Sequence, residues 1–581
     1  MVPSRPHSGY SVLSAHSADP AVRAHSAVPV LLVVVLLVSG VGHLVAGVAA
    51  APSTDPVPAR SHEQESAPPD PATDTIGWEN GYWHNESIDV SQTDGDGLTA
   101  AEQRRLMART MARVEFIRDR EFDADVELTF VSRERFRQGF LAADLPADVD
   151  SDLLYDSFTL ENGFWEATFL FGEDTDATQR IRRFGAEAIL GYSAEEGMGN
   201  EVVIVTRTTD APAVHPEVLA HEVLHALQGQ HYDIAGPQYQ AGSHDARLGK
   251  DGLLEGSASY VDSVYSSRCG DDWECLDTPR NWAGRGRLDT VAYPYVVSQP
   301  YADGTTLVYG LLEGGSWGAV DALHGDIPQS SEQVIHRDPG EPVADLEAPD
   351  ASGDAWSLVA TERVGEATMF VMFWRQAVFQ DPDTIDRRAF REGRSEWNRL
   401  HYESEPTVGW GADELLLYRD GDRRGYVWYT AWDTPADARE FVGAYRTLLA
   451  SYGAESRGEH TWVIPENRSF ADAFHVVRDG ARVRIVNAPT VEALGELHAD
   501  AQPGAAPTPT TATATEPPTS PDPEPTPRST DGTGTPATGT PATRTTPTTD
   551  AGGNGFGLAV AIGTLLAAVA LLASHRRGRN R

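Results

Sequence analysis

A Thr- and Pro-rich segment near the C-terminus limits how much of this chain can fold. Residues 501–553 consist largely of Thr, Pro, Ala and Asp, and such a composition buries too little apolar surface to offset the entropy of folding. It therefore predicts an extended, disordered stalk. Residues 52–75 are rich in Pro, Ala, Asp and Ser and predict a disordered linker. Of the 581 residues, the folded body is expected between about residues 76 and 500.

An apolar run near the N-terminus predicts export of the chain. Ala27–Val41 is almost entirely apolar, follows Arg5 and Arg23, and precedes a stretch of small residues that ends at Ala51. A basic region, an apolar core and an A-x-A-like end are typical of a secretory signal peptide, here over residues 1–51. The alternative interpretation is an N-terminal membrane anchor.

A second apolar run predicts attachment of the C-terminus to a membrane. Leu558–Ala573 and the glycines before it are long enough to span a bilayer as a helix, and the arginines that follow should remain cytoplasmic. Together with the stalk, residues 554–581 resemble the archaeal PGF-CTERM sorting signal, although Asn554-Gly555-Phe556 stands where that family has Pro-Gly-Phe. The resemblance implies that a sortase-like enzyme removes the helix and that a lipid anchors the new end. The alternative is a retained transmembrane helix.

The charge balance excludes one class of partner. Asp and Glu number 86 and Lys and Arg number 46, so the formal net charge is −40. Nucleic-acid binding needs basic patches that neutralise phosphate, and we therefore expect no nucleic-acid partner. Lys250 is the only lysine. An acidic, lysine-poor surface is typical of a halophilic protein, because the Debye length of about 3 Å in molar salt screens the self-repulsion.

The two cysteines and two sequons agree with an exported chain. Cys269 and Cys275 lie six positions apart, and in an oxidising exterior this spacing predicts one small-loop disulfide. Asn85 and Asn467 each begin an N-x-S sequon, which predicts N-glycosylation.

An H-E-x-x-H motif predicts a metal site. Pro216–Gln228 reads as an apolar helix with Pro in its first turn. His221 and His225 are four residues apart and therefore project from the same helix face about one turn apart. That geometry allows two imidazole nitrogens to bind one Zn²⁺ ion. Glu222, beside them, is placed to accept a proton from a water molecule at the metal as general base.

Two residues compete for the role of third metal ligand. His231 lies ten residues after His221, the spacing of metzincin peptidases, but Gln228 occupies the position where that pattern has the helix-breaking Gly. Glu255 follows two leucines in an otherwise apolar helix, where a buried acid needs a cationic partner. The small Gly256 should let this helix approach the first one closely. We favour Glu255.

These residues resemble a known group. His221-Glu222-x-x-His225 followed by Glu255-Gly-x-Ala is similar to the gluzincin zinc metallopeptidases, most clearly over Leu219–Tyr260. The resemblance implies a zincin-like catalytic domain over residues 76–345, with both histidines and Glu255 as zinc ligands and Glu222 as general base. Weaker similarity extends to Pro328–His336 and indicates a family of secreted HExxH proteins that includes haloarchaeal surface proteins.

Other side chains are candidates for supporting roles. A donor that stabilises the oxyanion could come from Tyr260, Tyr301 or His336, of which we favour His336. Asp262 lies seven residues after Glu255, on the same helix face, and could accept a hydrogen bond from a ligand imidazole. The alternative for Asp262 is a solvated surface acid.

The rest of the folded body predicts an α+β architecture. Val-rich and aromatic-rich runs predict strands at Val126–Val131, Trp165–Phe171 and Val202–Val205. Residues 350–500 predict a smaller α+β accessory domain, with a hairpin turn at Asp420-Gly421. That region contains no persuasive catalytic cluster.

The sequence thus supports two functional hypotheses. The first is a surface-anchored zinc-dependent endopeptidase that acts on protein or peptide substrates. The second is a non-catalytic surface or adhesion protein with a structural or degenerate zinc site.

Overall fold

The computed structural model places most of the predicted folded body. It describes residues 69–141, 162–193, 200–284, 292–380, 383–395, 397–398 and 400–501. The predicted signal peptide, residues 52–68 of the predicted linker, the stalk beyond residue 501 and the C-terminal apolar helix lie outside these residues. Within the described ranges, no helix is long and apolar enough to cross a membrane.

The described residues form a mixed α+β fold. The helices are α1 (Ala100–Arg118), α2 (Arg133–Leu141), α3 (Ala177–Ala188), α4 (Pro216–His231), α5 (His244–Arg268), α6 (Tyr293–Val296), α7 (Gln299–Gly314), α8 (Trp317–Leu323), α9 (Ser331–Ile335), α10 (Gly365–Phe379), α11 (Pro435–Ser451) and α12 (Val491–Leu497). The strands are β1 (Trp78–Glu79), β2 (Tyr82–Trp83), β3 (Glu127–Ser132), β4 (Gly191–Ser193), β5 (Glu201–Thr206), β6 (Ser357–Glu362), β7 (Trp410–Asp420), β8 (Arg423–Trp432), β9 (Glu455–Ser456), β10 (Thr461–Val463), β11 (Ala473–Asp479) and β12 (Arg482–Ala488).

A three-stranded sheet supports the H-E-x-x-H helix. Its order is β3-β5-β4, with β3 and β5 parallel and β4 antiparallel to β5. The strands predicted at Val126–Val131 and Val202–Val205 are confirmed as β3 and β5. Strand β5 is almost entirely buried. Helix α4 follows β5 along the chain and packs against the sheet. This packing removes the apolar residues of the helix from water.

A seven-stranded antiparallel sheet occupies the C-terminal part, in the order β6-β7-β8-β12-β11-β10-β9. The predicted hairpin is confirmed, because β7 ends at Asp420 and Gly421 adopts a φ of 59° in the turn. Side chains alternate across the sheet as the pleat requires. Trp428 faces the main core with α11, whereas Val427 faces a smaller apolar cluster that α12 covers.

The strand predicted at Trp165–Phe171 is wrong. Residues 162–167 are helical, and the chain then turns through Phe169, which has a φ of 56°. A short apolar run without clear periodicity fits a buried helix as well as a buried strand, and tertiary packing decides between them. Here the Phe169 ring packs against Tyr452 and Phe474 from the C-terminal region. The two predicted domains therefore share one apolar core.

The predicted disulfide is confirmed between Cys269 and Cys275, whose sulfur atoms are 2.02 Å apart. The loop that it closes follows directly after α5. The Glu274 carbonyl in this loop accepts a hydrogen bond from Arg113, a fully buried residue whose guanidinium also lies over the Trp273 ring. The loop therefore ties the end of α5 to α1.

Glycines let α5 and α7 cross at backbone contact. A Cβ atom at Gly256 would lie 2.3 Å from the Gly304 carbonyl carbon, and a Cβ at Gly304 would lie 2.3 Å from the Gly252 carbonyl oxygen. We expected Gly256 to face α4, but it faces α7 instead. The position of α5, and of the Glu255 carboxylate on it, is thus set partly by α7.

This close crossing predicts that a methyl group added at Gly256 lowers the stability of the fold. We expect Gly256→Ala to lower the free energy of unfolding by about 1–3 kcal/mol, since the added Cβ would meet main-chain atoms that cannot rotate away. Gly310→Ala, on the exposed side of α7 with nothing within 4 Å of the new Cβ, is the control. It should raise helix propensity and stabilise by up to about 1 kcal/mol. Urea unfolding in molar salt measures both, and equal stability of the two variants would contradict the close crossing.

Candidate metal centre

The site begins with helix α4, whose buried residues include the whole H-E-x-x-H motif. His215 precedes the helix in an extended conformation, and Pro216 starts it. One turn separates His221 from His225, as the spacing predicts. The His221 side chain is fully buried, and 7% of His225 is exposed. The apolar residues around the motif therefore place the two imidazoles at the interface between α4 and its neighbours.

Helix α5 brings a carboxylate to the same point. Glu255 Oε2 lies 3.2 Å from His221 Nε2 and 3.1 Å from His225 Nε2. The two Nε2 atoms are themselves 3.1 Å apart. Three potential ligand atoms from two helices therefore converge within hydrogen-bond distance of one another, and all three residues are buried.

The outer nitrogen of each imidazole has its own partner. His221 Nδ1 is 2.9 Å from Asp262 Oδ2, and His225 Nδ1 is 2.8 Å from Gln228 Oε1. Because both partner atoms are acceptors, each Nδ1 carries the proton in the neutral imidazole, and each Nε2 presents a lone pair. The expectation that Asp262 supports a ligand imidazole agrees with this contact.

A positive charge at the centre of the cluster would therefore stabilise its three potential ligand atoms. Two imidazole lone pairs and one carboxylate oxygen point at the same small volume, and this arrangement repels unless a proton or a cation lies between them. Burial opposes ionisation of Glu255, yet His225 and His221 lower its pKa to about 2. Burial alone would lower the pKa of His221, but Asp262 and Glu255 raise it to about 10. Two neutral imidazoles and a carboxylate fit the ligand set of a catalytic Zn²⁺ ion.

Glu222 is placed differently from Glu255. Its side chain is fully buried, and neither carboxylate oxygen has a hydrogen-bond partner among the described residues. A Cβ atom at Gly191, the first residue of β4, would lie 2.9 Å from its Cγ, so the absence of a side chain there leaves room for the acid. Burial raises the pKa of Glu222 well above its ordinary value, although His221 opposes the shift. Such a carboxylate binds a proton readily.

One of the three candidate oxyanion donors lies beside the cluster. The Tyr301 ring is stacked on the His221 imidazole at 6.0 Å between centroids. Its buried hydroxyl has a pKa raised well above the ordinary value by burial and by the charge of Glu255. His336, the residue favoured from the sequence, instead lies with Nε2 2.9 Å from Glu366 Oε2. Tyr260 packs against Trp317 and Trp397.

The competing third ligand has another partner. His231 Nε2 lies 2.7 Å from the Glu121 carbonyl oxygen, and Nδ1 is 3.6 Å from Asp123. Glu255, not His231, converges on the histidine pair. In the sequence, Gln228 stands out only as a departure from the metzincin pattern, and its contact with His225 is not predicted. Its position three residues after His225 on a helix was the available signal.

A second cluster of acids offers a different donor set. Carboxylate oxygens of Glu166, Glu173 and Asp472 also lie within 4.8 Å of one another. Arg424 is 3.4 Å from Glu166 and already supplies a positive charge there. This cluster contains no imidazole nitrogen, so it lacks the mixed ligands typical of zinc.

The Asp262 contact predicts an effect on metal affinity. We expect Asp262→Ala to weaken zinc binding by about 10–100-fold, because the His221 imidazole would lose the acceptor that orients it and raises its basicity. Competition with a chromophoric chelator in molar salt measures the affinity. Asp272→Ala, which removes an exposed acid that pairs with Arg268, is the control and should leave the affinity unchanged. Equal affinities in the two variants would count against the role of Asp262.

Comparison with known proteins gives a match in the C-terminal part alone. Residues 357–498 match a family described as a domain of unknown function (DUF8575), a range that contains β6 to β12 and α12. No curated protein and no solved structure matches the chain. The family match does not include the H-E-x-x-H helix. The resemblance of Leu219–Tyr260 to gluzincins and that of the tail to PGF-CTERM signals therefore stay predictions.

Proposed function

We propose that this chain is a zinc-dependent endopeptidase that hydrolyses protein or peptide substrates at the cell surface. One observation carries the proposal: His221 Nε2, His225 Nε2 and Glu255 Oε2 converge within 3.2 Å. The buried carboxylate of Glu222, which has no hydrogen-bond partner among the described residues, lies next to His221 along α4. This is the arrangement that the gluzincin resemblance implies. It supports a zincin-like assignment for the part of the chain that precedes the seven-stranded sheet.

The chemistry divides between the metal and the side chains. Zn²⁺ held by the two histidines and Glu255 would supply Lewis acidity, which acidifies water and polarises a carbonyl group. Glu222 accepts the proton of the attacking water and then delivers it to the leaving amine. Asp262 holds the His221 imidazole in the tautomer that presents Nε2. Tyr301 replaces His336 as the donor proposed to stabilise the oxyanion.

The sheet beside the site supports a peptide as substrate. Among the described residues, strand β4 pairs with β5 alone in the three-stranded sheet, and an extended chain that added to its other edge would form main-chain hydrogen bonds there. Glu222 packs against Gly191 at the start of this strand. A peptide that adds to β4 would therefore run past the proposed general base.

The proposed location depends on regions outside the described residues. The N-terminal apolar run and the C-terminal tail support export and anchoring in the membrane, with or without processing by a sortase-like enzyme. The Cys269–Cys275 disulfide agrees with an oxidising exterior. For the domain of unknown function we propose a supporting role, because its core is continuous with that of the metal-bearing part.

A second candidate function is a non-catalytic surface or adhesion protein with a structural zinc site. The burial of the whole cluster favours it: no more than 7% of any of His221, Glu222, His225 and Glu255 is exposed, and a structural zinc ion keeps no coordination position open for water. On this alternative, loss of the metal lowers stability and there is no cleavage to lose.

One experiment distinguishes these candidates. Zinc content and cleavage of a casein-type substrate are measured on the same purified full-length protein in molar salt, with and without a chelator. The peptidase predicts one zinc per chain and cleavage that the chelator abolishes and added zinc restores. Zinc without cleavage under all conditions, together with a lower unfolding temperature after chelation, supports the structural alternative. Absence of bound zinc refutes both.

A further inference from the structure

Gln228 contacts both metal-bearing helices. Its side chain is buried, with 3% exposed, and its two ends have different partners. The amide oxygen accepts from His225 Nδ1 at 2.8 Å, and the amide nitrogen donates to the Leu254 carbonyl oxygen at 3.1 Å. Leu254 directly precedes Glu255 in α5. One side chain on α4 therefore bridges a ligand on its own helix to the main chain beside the ligand on the other.

The two contacts of Gln228 are not independent. A primary amide has an oxygen that only accepts and a nitrogen that only donates. Because the Leu254 carbonyl can only accept, it requires the amide nitrogen on its side and thereby turns the amide oxygen toward His225. That oxygen in turn requires a proton on Nδ1. The main chain of α5 thus determines, through Gln228, that His225 presents its Nε2 lone pair to the small volume on which His221 and Glu255 also converge.

We propose that Gln228 is a positioning residue that selects the metal-binding tautomer of His225 and sets the spacing between His225 and Glu255. This inference rests on the proposed metal site but concerns a residue that the H-E-x-x-H pattern leaves open. His221 receives a charged acceptor from Asp262, whereas His225 receives a neutral one. Gln228 therefore orients its imidazole without adding negative charge to a site that already holds Glu222, Glu255 and Asp262.

Four proteins test the proposal: wild type, Gln228→Ala, Gln228→Glu and Gln230→Ala. Gln230 is the matched control because it lies on the same helix and also bridges to another segment, the main chain of Asp123 and Ala124, without contacting a ligand. Zinc affinity is measured by chelator competition in molar salt. The spectrum of the Co²⁺-substituted protein reports the geometry of the site.

We expect Gln228→Ala to weaken zinc binding by about 10–100-fold and to change the Co²⁺ spectrum. Gln228→Glu keeps an acceptor for His225 but cannot donate to Leu254, so part of the affinity should return. Gln230→Ala should bind as the wild type does. Wild-type affinity and spectrum in Gln228→Ala would overturn the proposal, as would an equal loss in Gln230→Ala, which indicates a general packing effect.

A metal-free measurement separates this inference from the proposed function. Nitrogen-15 NMR of the histidine side chains in the chelator-treated protein reports the tautomer of His225. We expect protonation at Nδ1 in the wild type and a mixture of tautomers in Gln228→Ala. If the wild type binds no zinc but this difference is seen, the proposed function fails and the role of Gln228 stands. If zinc binds and the tautomer is the same in both proteins, the role of Gln228 fails alone.

Discussion

Replacement of Glu222 by Gln is expected to abolish cleavage while one zinc ion remains bound. The amide has the size of the carboxylate but cannot accept the proton of the attacking water, and loss of a general base lowers rates by about 10²–10⁴-fold. Glu222 is not among the three converging ligand atoms, so the affinity for zinc should change little. Cleavage of a casein-type substrate and zinc content, measured on the same preparation in molar salt, check the two halves of this expectation.

The Glu222→Gln variant also tests whether the buried carboxyl group lowers the free energy of unfolding. Both oxygens of Glu222 are buried and have no hydrogen-bond partner in the described part of the chain, and burial raises the pKa of this carboxyl well above its ordinary value. The neutral amide therefore should not destabilise the fold in the way that a lost ion pair would. Glu134→Gln, at an exposed position of α2, controls for the change of charge. Full cleavage by Glu222→Gln would remove Glu222 from the mechanism and weaken the peptidase proposal.

Replacement of Glu255 by Gln is expected to lower zinc affinity by more than about 100-fold, beyond the 10–100-fold typical of residues that contact a ligand rather than the metal. The substitution keeps the shape of the side chain and removes the negative charge between the two imidazoles. The lower pKa of Glu255, caused by His225 and His221, is itself a sign that the cluster favours the ionised carboxylate. Equilibrium dialysis against a competing chelator measures the loss.

Two further variants make the assignment of Glu255 specific. His231→Ala removes the competing ligand of the sequence analysis and should bind zinc as the wild type does, since His231 contacts the Glu121 carbonyl. Glu313→Gln, an exposed acid on α7, controls for charge. Unchanged affinity in Glu255→Gln together with a loss in His231→Ala would contradict the gluzincin-type ligand set.

Local features were predicted well because their causes are local. The Asp420-Gly421 hairpin and the small disulfide loop each depend on residues a few positions apart. The run from Trp165 to Phe171 has no clear period, so its own pattern does not distinguish a buried strand from a buried helix. Aromatic rings from the C-terminal region determine its shape, and these lie hundreds of residues away.

In the candidate site, too, some features follow from local spacing and others from tertiary packing. The positions of His221, Glu222 and His225 relative to one another follow from helix geometry, which depends on spacing alone. The choice between Glu255 and His231, and between Tyr301 and His336, depends on which helices pack together. Gly256 and Gly304 bring α7 against α5, and no spacing within either helix encodes that contact. No local pattern around His336 shows that its imidazole pairs with Glu366.

The sequence by itself determined the helix with its two histidines, the disulfide, strands β3 and β5, the hairpin turn between β7 and β8 and the acidic composition of the chain, because each depends on neighbouring residues or on composition. The tertiary structure decided which acid converges on the histidine pair, which side chains contact the outer nitrogens of the two imidazoles, and which of the three candidate donors lies beside them. Most of these side chains are tens of residues apart in the sequence. Their contacts depend on how whole helices pack against one another, and no local sequence pattern specifies that packing.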